Sequence, residues 1–358
     1  MISITDLQSK MKRCGANELM IGLLFGKYKT IIKQNTNIWI PFITYRGLLQ
    51  GDPLSPHLFN FYLFDLNNCF KRDEDGIQIE NQTRHTISYA DDIVLVAPMA
   101  AALRRKIQQI CEYLEKLRVK INPKKSTIMI FRNGSNVSKK HMSFFINKEV
   151  KIVKEIKFLG ITFIPNLLFE KHYKNSLNKA KIAINNLIGL FCKAKLKNLG
   201  THFQLFNLLV MNSMGYAAPV WSMDKFNDFE KIRNIFIRKI FQLEFNILGS
   251  ALRLETNRFR LNTILIKRYL MFLQKIIKAE DITTKLLFLL YHKSRKTDLR
   301  RSWIIQLLKI VNKYRFSIKL FLDRTHNMEQ YSKEIIYRAM ELSIVQDIED
   351  IRKRENTS

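Results

Sequence analysis

Two adjacent carboxylates, Asp91 and Asp92, stand between two short β-prone runs in the segment HTISYADDIVLVA. Two negative charges beside apolar strands are costly unless they reach water or a cation. The runs Thr86–Tyr89 and Ile93–Ala97 have hairpin length, so we predict a β-hairpin with the carboxylates at its tip. Carboxylates held at a rigid tip suit Mg²⁺, which prefers hard oxygen ligands. A solvated Asp-Asp turn is the alternative interpretation.

A glycine-lined loop precedes this hairpin in the stretch RGLLQGDPLSPHLFNFYLFDL. Gly47, Gly51 and Pro53 impose a tight backbone, which lets a ligand approach the main chain. Gln50 adjoins this turn, where its amide is suited to bond a sugar or a base. Ser55 followed by proline predicts a helix start, and the helix is expected to run to about Cys69. An ordinary loop leading into a buried helix is the alternative.

Two further segments follow the hairpin. In LRVKINPKKSTIMIF, Asn122 and Pro123 predict a turn that carries Lys124 and Lys125, with a strand over 127–131. Lysines at a turn are placed to meet an anion, although two exposed loop lysines explain the pattern equally well. In IKFLGITF, the apolar run with a central Gly160 predicts one strand with a bulge or a close backbone approach.

The elements that must position these residues are an α+β region followed by helices. All seven prolines lie at or before Pro219, and one glycine follows it, so residues 220–358 are expected to be mostly helical. Apolar residues at alternating spacings of three and four predict three amphipathic helices. Their stripes are Leu103, Ile107, Ile110, Leu114 and Leu117; Tyr173, Leu177, Ala180, Ile184, Leu187 and Phe191; and Phe229, Ile232, Phe236, Ile240 and Leu243.

The charge points to a polyanionic partner. The 358 residues carry 60 Lys and Arg against 31 Asp and Glu, which gives a net charge of +29. Residues 1–150 contain 22 Lys and Arg and 13 Asp and Glu, whereas residues 151–358 contain 38 Lys and Arg and 18 Asp and Glu. The excess of positive charge is therefore larger toward the C-terminus. Such an excess opposes compaction unless a polyanion neutralises it, and nucleic acid is the leading candidate. A solvated basic surface is the alternative.

The four chemical segments occur in an order that resembles the reverse transcriptases of non-LTR, LINE-type retrotransposons. RGLLQGDPLSP is similar to the motif that holds template and incoming nucleotide, and YADD to the metal-binding hairpin. INPKKS is similar to the following turn with its lysine, and KFLGITF to the hairpin that grips the primer end. Weaker similarity continues through GYAAPVW and ALRLETNRFRL, so the resemblance covers roughly residues 10–275.

The resemblance implies specific roles and partners. Asp91 and Asp92 would bind two Mg²⁺ ions, and Lys125 would face the triphosphate and complete the catalytic set. The RNA template, the DNA primer and the dNTP would be the partners, with no membrane involved. The implied nucleotide- and template-binding residues are Arg46, Gln50, Gly51, Pro53 and Tyr89, and the implied primer grip is Phe158, Leu159 and Gly160.

The implied architecture is α+β. It consists of a partial right-hand polymerase palm, with an antiparallel sheet and helices, over residues 1–140. A primer-grip and thumb-like helical region follows over 141–245, and a basic helical C-terminal region over 246–358. The scattered cysteines and the polar N-terminal segment favour an intracellular protein, in the cytoplasm or the nucleus. Oligomeric state is left open.

The implied mechanism needs a third carboxylate, because two adjacent aspartates at one tip do not surround two cations. In the family this residue precedes a helix and glycine that SITDLQSKMKRCG resembles, and here it is expected to fall ahead of Met1. Asp6 is too near Gly15 and is predicted to lie inside the helix. We therefore expect an N-terminally truncated reverse transcriptase that is inactive, or nearly so, by itself. The alternatives are a non-catalytic nucleic-acid-binding remnant or scaffold, or an unrelated basic helical protein.

Overall fold

The chain forms two compact units, Met1–Lys154 and Glu155–Ser358. The computed structural model describes residues 2–25, 29–30, 33–34, 37–38, 42–43, 47–49, 51–79, 82–131, 143–146, 148–222, 226–279, 303–316 and 328–355. The predicted three-part division at residues 140 and 245 stays a prediction.

The first unit mixes short strands with helices, as expected of an α+β region. Its helices are α1 (Ile4–Arg13), α2 (Glu18–Leu24), α3 (Ser55–Tyr62) and α4 (Ala100–Lys116), with 3₁₀ turns at Leu66–Cys69 and Asp73–Asp75. Its strands are β1 (Lys29–Thr30), β2 (Lys33–Gln34), β3 (Asn37–Ile38), β4 (Phe42–Ile43), β5 (Ile77–Ile79), β6 (Gln82–Arg84), β7 (Thr86–Tyr89), β8 (Asp92–Leu95), β9 (Thr127–Ile128), β10 (Phe145–Ile146), β11 (Lys148–Glu149) and β12 (Lys151–Ile152).

These strands pair two by two rather than forming one sheet. The antiparallel pairs are β1–β4, β2–β3, β5–β6, β7–β8 and β10–β11, whereas β9 and β12 run parallel. Among the described residues no pair extends into a third strand. The mixed α and β composition is therefore confirmed, and the continuous antiparallel palm sheet stays a prediction.

The apolar core of the first unit is divided into small clusters. One joins Leu7 of α1 to Leu58 and Tyr62 of α3. The predicted stripe on α4 is confirmed: Ile110 and Leu114 pack with the Leu66 turn, and Ile107 packs with Phe144 and Val150. Helix α4 thus serves as the common support of two clusters.

In the part that the structure describes, the second unit is helical apart from one hairpin. It contains β13 (Ile156–Phe158), β14 (Ile161–Phe163), α5 (Glu170–Lys193), α6 (Leu199–Leu205), a π-helical turn (Phe206–Met211), α7 (Asn212–Met214), α8 (Ala218–Trp221), α9 (Phe226–Phe241), α10 (Gly249–Glu255), α11 (Leu261–Ala279), α12 (Trp303–Lys313) and α13 (Met328–Glu355). The predicted helices over the second and third stripes are confirmed as α5 and α9.

One large apolar core holds this unit together. It includes Ile184 of α5, Phe236 of α9, Leu270 of α11, Leu307 of α12 and Ile335 of α13, all fully buried. Burial of side chains of this size contributes about 1.5–3 kcal/mol each, so this shared core, to which these and further helices contribute, is the main source of stability here. In the part of the chain that is described, no helix is long and apolar enough to cross a membrane.

Three local expectations need correction. The helix that begins at Ser55 ends at Tyr62 rather than near Cys69, and a separate 3₁₀ turn follows it. The strand predicted over 127–131 is only Thr127–Ile128. The run 156–163 is not one bulged strand but two strands joined by a tight turn. A local apolar run by itself does not reveal where a helix or strand ends or where the chain turns.

A buried network of ion pairs joins the last helix to the rest of the second unit. Asp347 of α13, 2% exposed, accepts two bonds from Arg253 of α10, at 2.8 and 2.5 Å. Arg260 donates through Nε to the same carboxylate at 2.7 Å and through Nη2 to Asp350 at 2.6 Å. Glu230 of α9 accepts from Arg253 at 3.2 Å on the other side. The network therefore ties α9, α10 and α13 together by charge.

Candidate active site

The adjacent carboxylates lie at the tip of the β7–β8 hairpin, as predicted. Tyr89 pairs with Asp92, so the connecting loop consists of only Ala90 and Asp91. Ala90 has φ of 50°, a left-handed conformation that costs a non-glycine residue energy and that two-residue hairpins require. Asp91 is the second loop residue and Asp92 the first residue of the returning strand. Both side chains are exposed, and Tyr89 beside them is 64% exposed.

Apolar packing on one face holds this hairpin. Ile93 and Leu95 of β8 contact the cluster built on Leu66, Ile110 and Leu114. The carboxylates themselves project beyond the packed region, which resolves why two charges stand between apolar strands. The strands bury their own faces while the tip remains in water, where it is available to a cation.

A buried lysine fixes the base of the hairpin. Lys106 of α4 is fully buried, and its Nζ donates to the Val96 carbonyl at 2.6 Å. The Val96 amide in turn donates to the His85 carbonyl at 3.0 Å, and the His85 ring stacks on Phe70 at 4.9 Å between centroids. Burial lowers the pKa of Lys106 to about 8, and burial together with Lys106 lowers the pKa of His85.

The lowered pKa of Lys106 predicts a pH-dependent stability. Because the unfolded lysine titrates near 10.5, the unfolded chain binds more protons than the native one between pH 8 and 10.5. The free energy of unfolding should therefore rise with pH across that window, by an amount on the order of 1–3 kcal/mol. Urea titrations at several pH values measure it.

The comparison that isolates this effect is Lys106→Met against Lys116→Met. Lys116 lies on the same helix and is exposed. We expect the pH-dependent rise in the free energy of unfolding to disappear in Lys106→Met and to persist in Lys116→Met. Equal pH dependence in the wild type and Lys106→Met would contradict the assignment.

The glycine-lined loop has the predicted tight backbone. Gly51 adopts φ of 93°, in the left-handed region, and leads through exposed Pro53 into α3. Ser55 is the first helical residue rather than the cap. Its Oγ donates to the Leu49 carbonyl at 2.7 Å, while Asp52 accepts from the Leu54 amide at 3.1 Å. Two of the predicted ligand-binding residues, Arg46 and Gln50, lie outside the described residues.

Lys125 lies on a turn that is fixed by the preceding asparagine. The side-chain oxygen of Asn122 accepts from the amides of Lys124 and Lys125 at 3.1 and 3.3 Å, and Ser126 donates to the Asn122 carbonyl at 3.0 Å. The ammonium group of Lys125 is exposed. In the described part of the chain, no side-chain hydrogen bond or ion pair joins Lys125 to the hairpin tip.

The donor set at the tip suits a hard divalent cation but is small. Asp91 and Asp92 supply carboxylate oxygens, which Mg²⁺ prefers. Within the described ranges no group of three or more metal-ligating side chains is found. Asp6 lies inside α1, as predicted, where its amide donates to Ser3 at 3.2 Å and its carboxylate lies 3.9 Å from Arg118. The described residues thus present two carboxylates and not a closed metal site.

The predicted primer-grip residues form the turn of the β13–β14 hairpin in the second unit. Phe158 pairs with Ile161, so Leu159 and Gly160 are the two loop residues, with φ of 45° and 79°. Positive φ at both loop positions is the geometry of a type I′ turn. The amide of Thr162 donates to Nδ1 of His172 at 3.3 Å, which ties the hairpin to α5. Burial, with nearby Lys179 and Lys157, lowers the pKa of His172 and favours this neutral acceptor.

Sequence reasoning assigned no role to Tyr216, which contacts this turn. Tyr216 lies in the segment GYAAPVW, and its hydroxyl donates to the Leu159 carbonyl at 3.0 Å. A side chain at Gly160 would meet the Tyr216 ring at 3.1 Å, so the ring and the turn are in close contact. An aromatic residue far along the chain gives no local signal of such a contact. The only sequence signal for Tyr216 was its position in the segment GYAAPVW, which resembles a family segment.

Comparisons with known proteins find similarity over the range that contains the four segments. Residues 2–163 match the family model described as reverse transcriptase (RNA-dependent DNA polymerase). The chain is 25% identical over 244 residues to the retrovirus-related Pol polyprotein from type-1 retrotransposable element R2 of Popillia japonica, which covers 62% of this chain and 38% of that protein. It is 30% identical over 130 residues to the polyprotein from type-2 retrotransposable element R2DM of Drosophila melanogaster, covering 34% and 12%.

These matches identify residues 2–163 as a reverse transcriptase domain. Both relatives are Pol polyproteins of R2 retrotransposable elements, and this similarity supports the non-LTR kind of reverse transcriptase that the four motifs resemble. The matched range contains the β7–β8 hairpin, the glycine-lined loop, the Lys125 turn and the β13–β14 hairpin. The chain spans well under half the length of these two relatives.

Proposed function

We propose that this chain binds a nucleic-acid template and primer as part of an RNA-directed DNA polymerase of the retrotransposon type. The observation that carries the proposal is the two-residue turn that presents Asp91 and Asp92 to solvent within sequence of the reverse transcriptase family. A buried lysine and an apolar face hold that tip, so the carboxylates stand on a rigid support. The proposal includes the palm and thumb architecture, which the mixed fold accommodates.

In this proposal Asp91 and Asp92 hold Mg²⁺. The ions would supply charge stabilisation for transfer of a nucleotide to the primer 3′-hydroxyl, as in two-metal polymerase sites. Lys125 would place its positive charge toward the triphosphate, and Gly51 and Pro53 would let the nucleotide or template approach the main chain. Tyr89, exposed next to the carboxylates, would contact the same ligand.

Terbium luminescence tests the metal role without requiring catalysis. Tb³⁺ replaces hard divalent cations. Tyr89 directly precedes the two-residue loop, so its ring can sensitise the luminescence of a bound Tb³⁺ ion. We expect tyrosine-excited emission from the wild-type chain, competed by Mg²⁺. Most of that emission should be lost when both Asp91→Asn and Asp92→Asn are introduced.

A matched control exists in the same unit. Asp73 and Glu74 are also adjacent, exposed carboxylates, with 85% and 73% of their side chains accessible. Asp73→Asn with Glu74→Asn should leave the emission within about twofold, because ordinary surface carboxylates hold hard cations weakly. Equal losses in both double variants would contradict a metal site at the hairpin tip.

The impaired catalysis expected from the sequence belongs to this proposal. Primer extension on an RNA template with Mg²⁺ and dNTPs should give little or no product from the chain by itself. Clear extension that Asp91→Ala abolishes would overturn the impairment, and it would establish the polymerase role directly.

The second candidate function is a non-catalytic nucleic-acid-binding protein or scaffold. It is favoured by the positive charge of residues 151–358, which contain 38 Lys and Arg but only 18 Asp and Glu. Such a protein would bind nucleic acid equally well without Asp91. Binding measurements on Asp91→Ala therefore separate the two functions only together with the extension assay.

A further inference from the structure

Tyr216 and the β13–β14 turn form one rigid surface in the second unit. The Tyr216 hydroxyl donates to Leu159, and the ring lies against Gly160 closely enough that an added Cβ would stand 3.1 Å from Cε1. The turn residues both have positive φ, so the loop is short and conformationally restricted. A hydrogen bond and a van der Waals contact thus fix the ring relative to the turn.

The segment that carries Tyr216 is itself anchored. The Tyr216 carbonyl accepts from Trp221 Nε1 at 2.9 Å, and the Gly215 carbonyl accepts from Arg268 at 3.1 Å. The Trp221 ring also meets His172 edge-on, with centroids 4.9 Å apart, and His172 accepts from the β14 amide. Trp221 therefore links the anchor at the base of the hairpin with the anchor at its tip.

The ring nevertheless remains open to a ligand. Tyr216 is 54% exposed, and its exposed hydroxyl is already bonded to the turn. Leu159 at the turn is 37% exposed, and Lys157 on β13 is exposed. Arg268 donates to the carbonyl of Gly215, the residue before Tyr216. An exposed aromatic ring held against a hairpin that carries an exposed lysine is an arrangement on which single-stranded bases can stack.

We propose that Tyr216 is a base-stacking residue that, with the Leu159–Gly160 turn, holds the terminal base of a nucleic-acid strand. Stacking on an aromatic side chain contributes about 1–3 kcal/mol per base and tolerates any base. The hydrogen bond to Leu159 orients the ring, and the exposed Lys157 of the same hairpin would attract the adjacent phosphates. The proposal rests on the proposed function, because it requires that the chain binds nucleic acid.

Photo-crosslinking from the strand end tests this proposal. A duplex primer–template with 5-iodouracil at the primer 3′ end is bound to the full chain and irradiated, and the crosslinked residue is mapped by mass spectrometry. The wild type should crosslink at position 216. The crosslink should persist in Tyr216→Phe, which keeps the ring, and fall at least about tenfold in Tyr216→Leu, because stacking contacts of this energy are lost.

Tyr337 provides the matched control, since it is 66% exposed on α13 of the same unit. Tyr337→Leu should leave the crosslink unchanged, and overall binding measured by fluorescence anisotropy should stay within about twofold for Tyr337→Leu and Tyr216→Phe, because both keep the ring at position 216. Failure of the wild type to bind the duplex would overturn the proposed function. Binding without a crosslink at position 216, or an undiminished crosslink in Tyr216→Leu, would overturn the stacking role alone.

Discussion

Replacing Asp347 with alanine should lower the free energy of unfolding by about 3–5 kcal/mol, because it leaves buried charges without their partner. Asp347 is 2% exposed and accepts two bonds from Arg253, which is 5% exposed, and one from Arg260. Glu230 retains contact with Arg253 but already binds Arg233 at 2.5 Å and the Leu261 amide at 2.7 Å. It therefore has little capacity to compensate. The loss should loosen α13 from α10.

Urea unfolding followed by tryptophan fluorescence measures this loss. The control is Glu341→Ala on the same helix, which removes a pair with Arg338 at 3.1 Å whose two side chains are 43% and 45% exposed. Exposed pairs of this kind contribute at most about 1 kcal/mol, so the control should be close to the wild type. Similar destabilisation in both variants would show that Asp347 is not the charge that holds the network.

The contrast between these aspartates explains how much the sequence reveals. Asp91 and Asp92 were recognisable because neighbouring residues in the chain define the hairpin that presents them. Asp347 lies 94 residues from Arg253, and nothing local distinguishes it from other acids on a charged helix. Partners that are distant in sequence are set by tertiary packing, which periodicity does not encode. The contact between Tyr216 and Leu159 could not be predicted for the same reason, because the two residues are distant in sequence.

Helices were the most predictable elements. The stripes on α4, α5 and α9 follow the 3.6-residue period of the helix, because burial of one helix face requires apolar residues at that spacing. Strand boundaries were less predictable, because the apolar run around Gly160 fits one strand as well as two. The positive φ values at Leu159 and Gly160 decide between them, and a leucine at such a position carries no turn signal. The motif resemblance supplied the hairpin that the local pattern did not.

The second prediction with a large expected effect is the salt dependence of nucleic-acid binding. The affinity of the chain for a nucleic-acid duplex should fall by about a thousand-fold or more between 50 and 200 mM monovalent salt, as for proteins that make six or more phosphate contacts. The net charge of +29 is the reason, since each lysine or arginine that neutralises a phosphate releases condensed counterions. Fluorescence anisotropy at four or five salt concentrations gives the slope of log affinity against log salt.

An uncharged backbone is the control that makes this result specific. A peptide nucleic acid of the same sequence offers the bases without phosphates, so it should bind far more weakly and with almost no salt dependence. Asp91→Ala should keep the slope and the affinity of the wild type within about twofold, because the carboxylate of an exposed tip neutralises no phosphate. Equal binding of the charged and uncharged strands would contradict a phosphate-based grip, and with it both functions proposed for the chain.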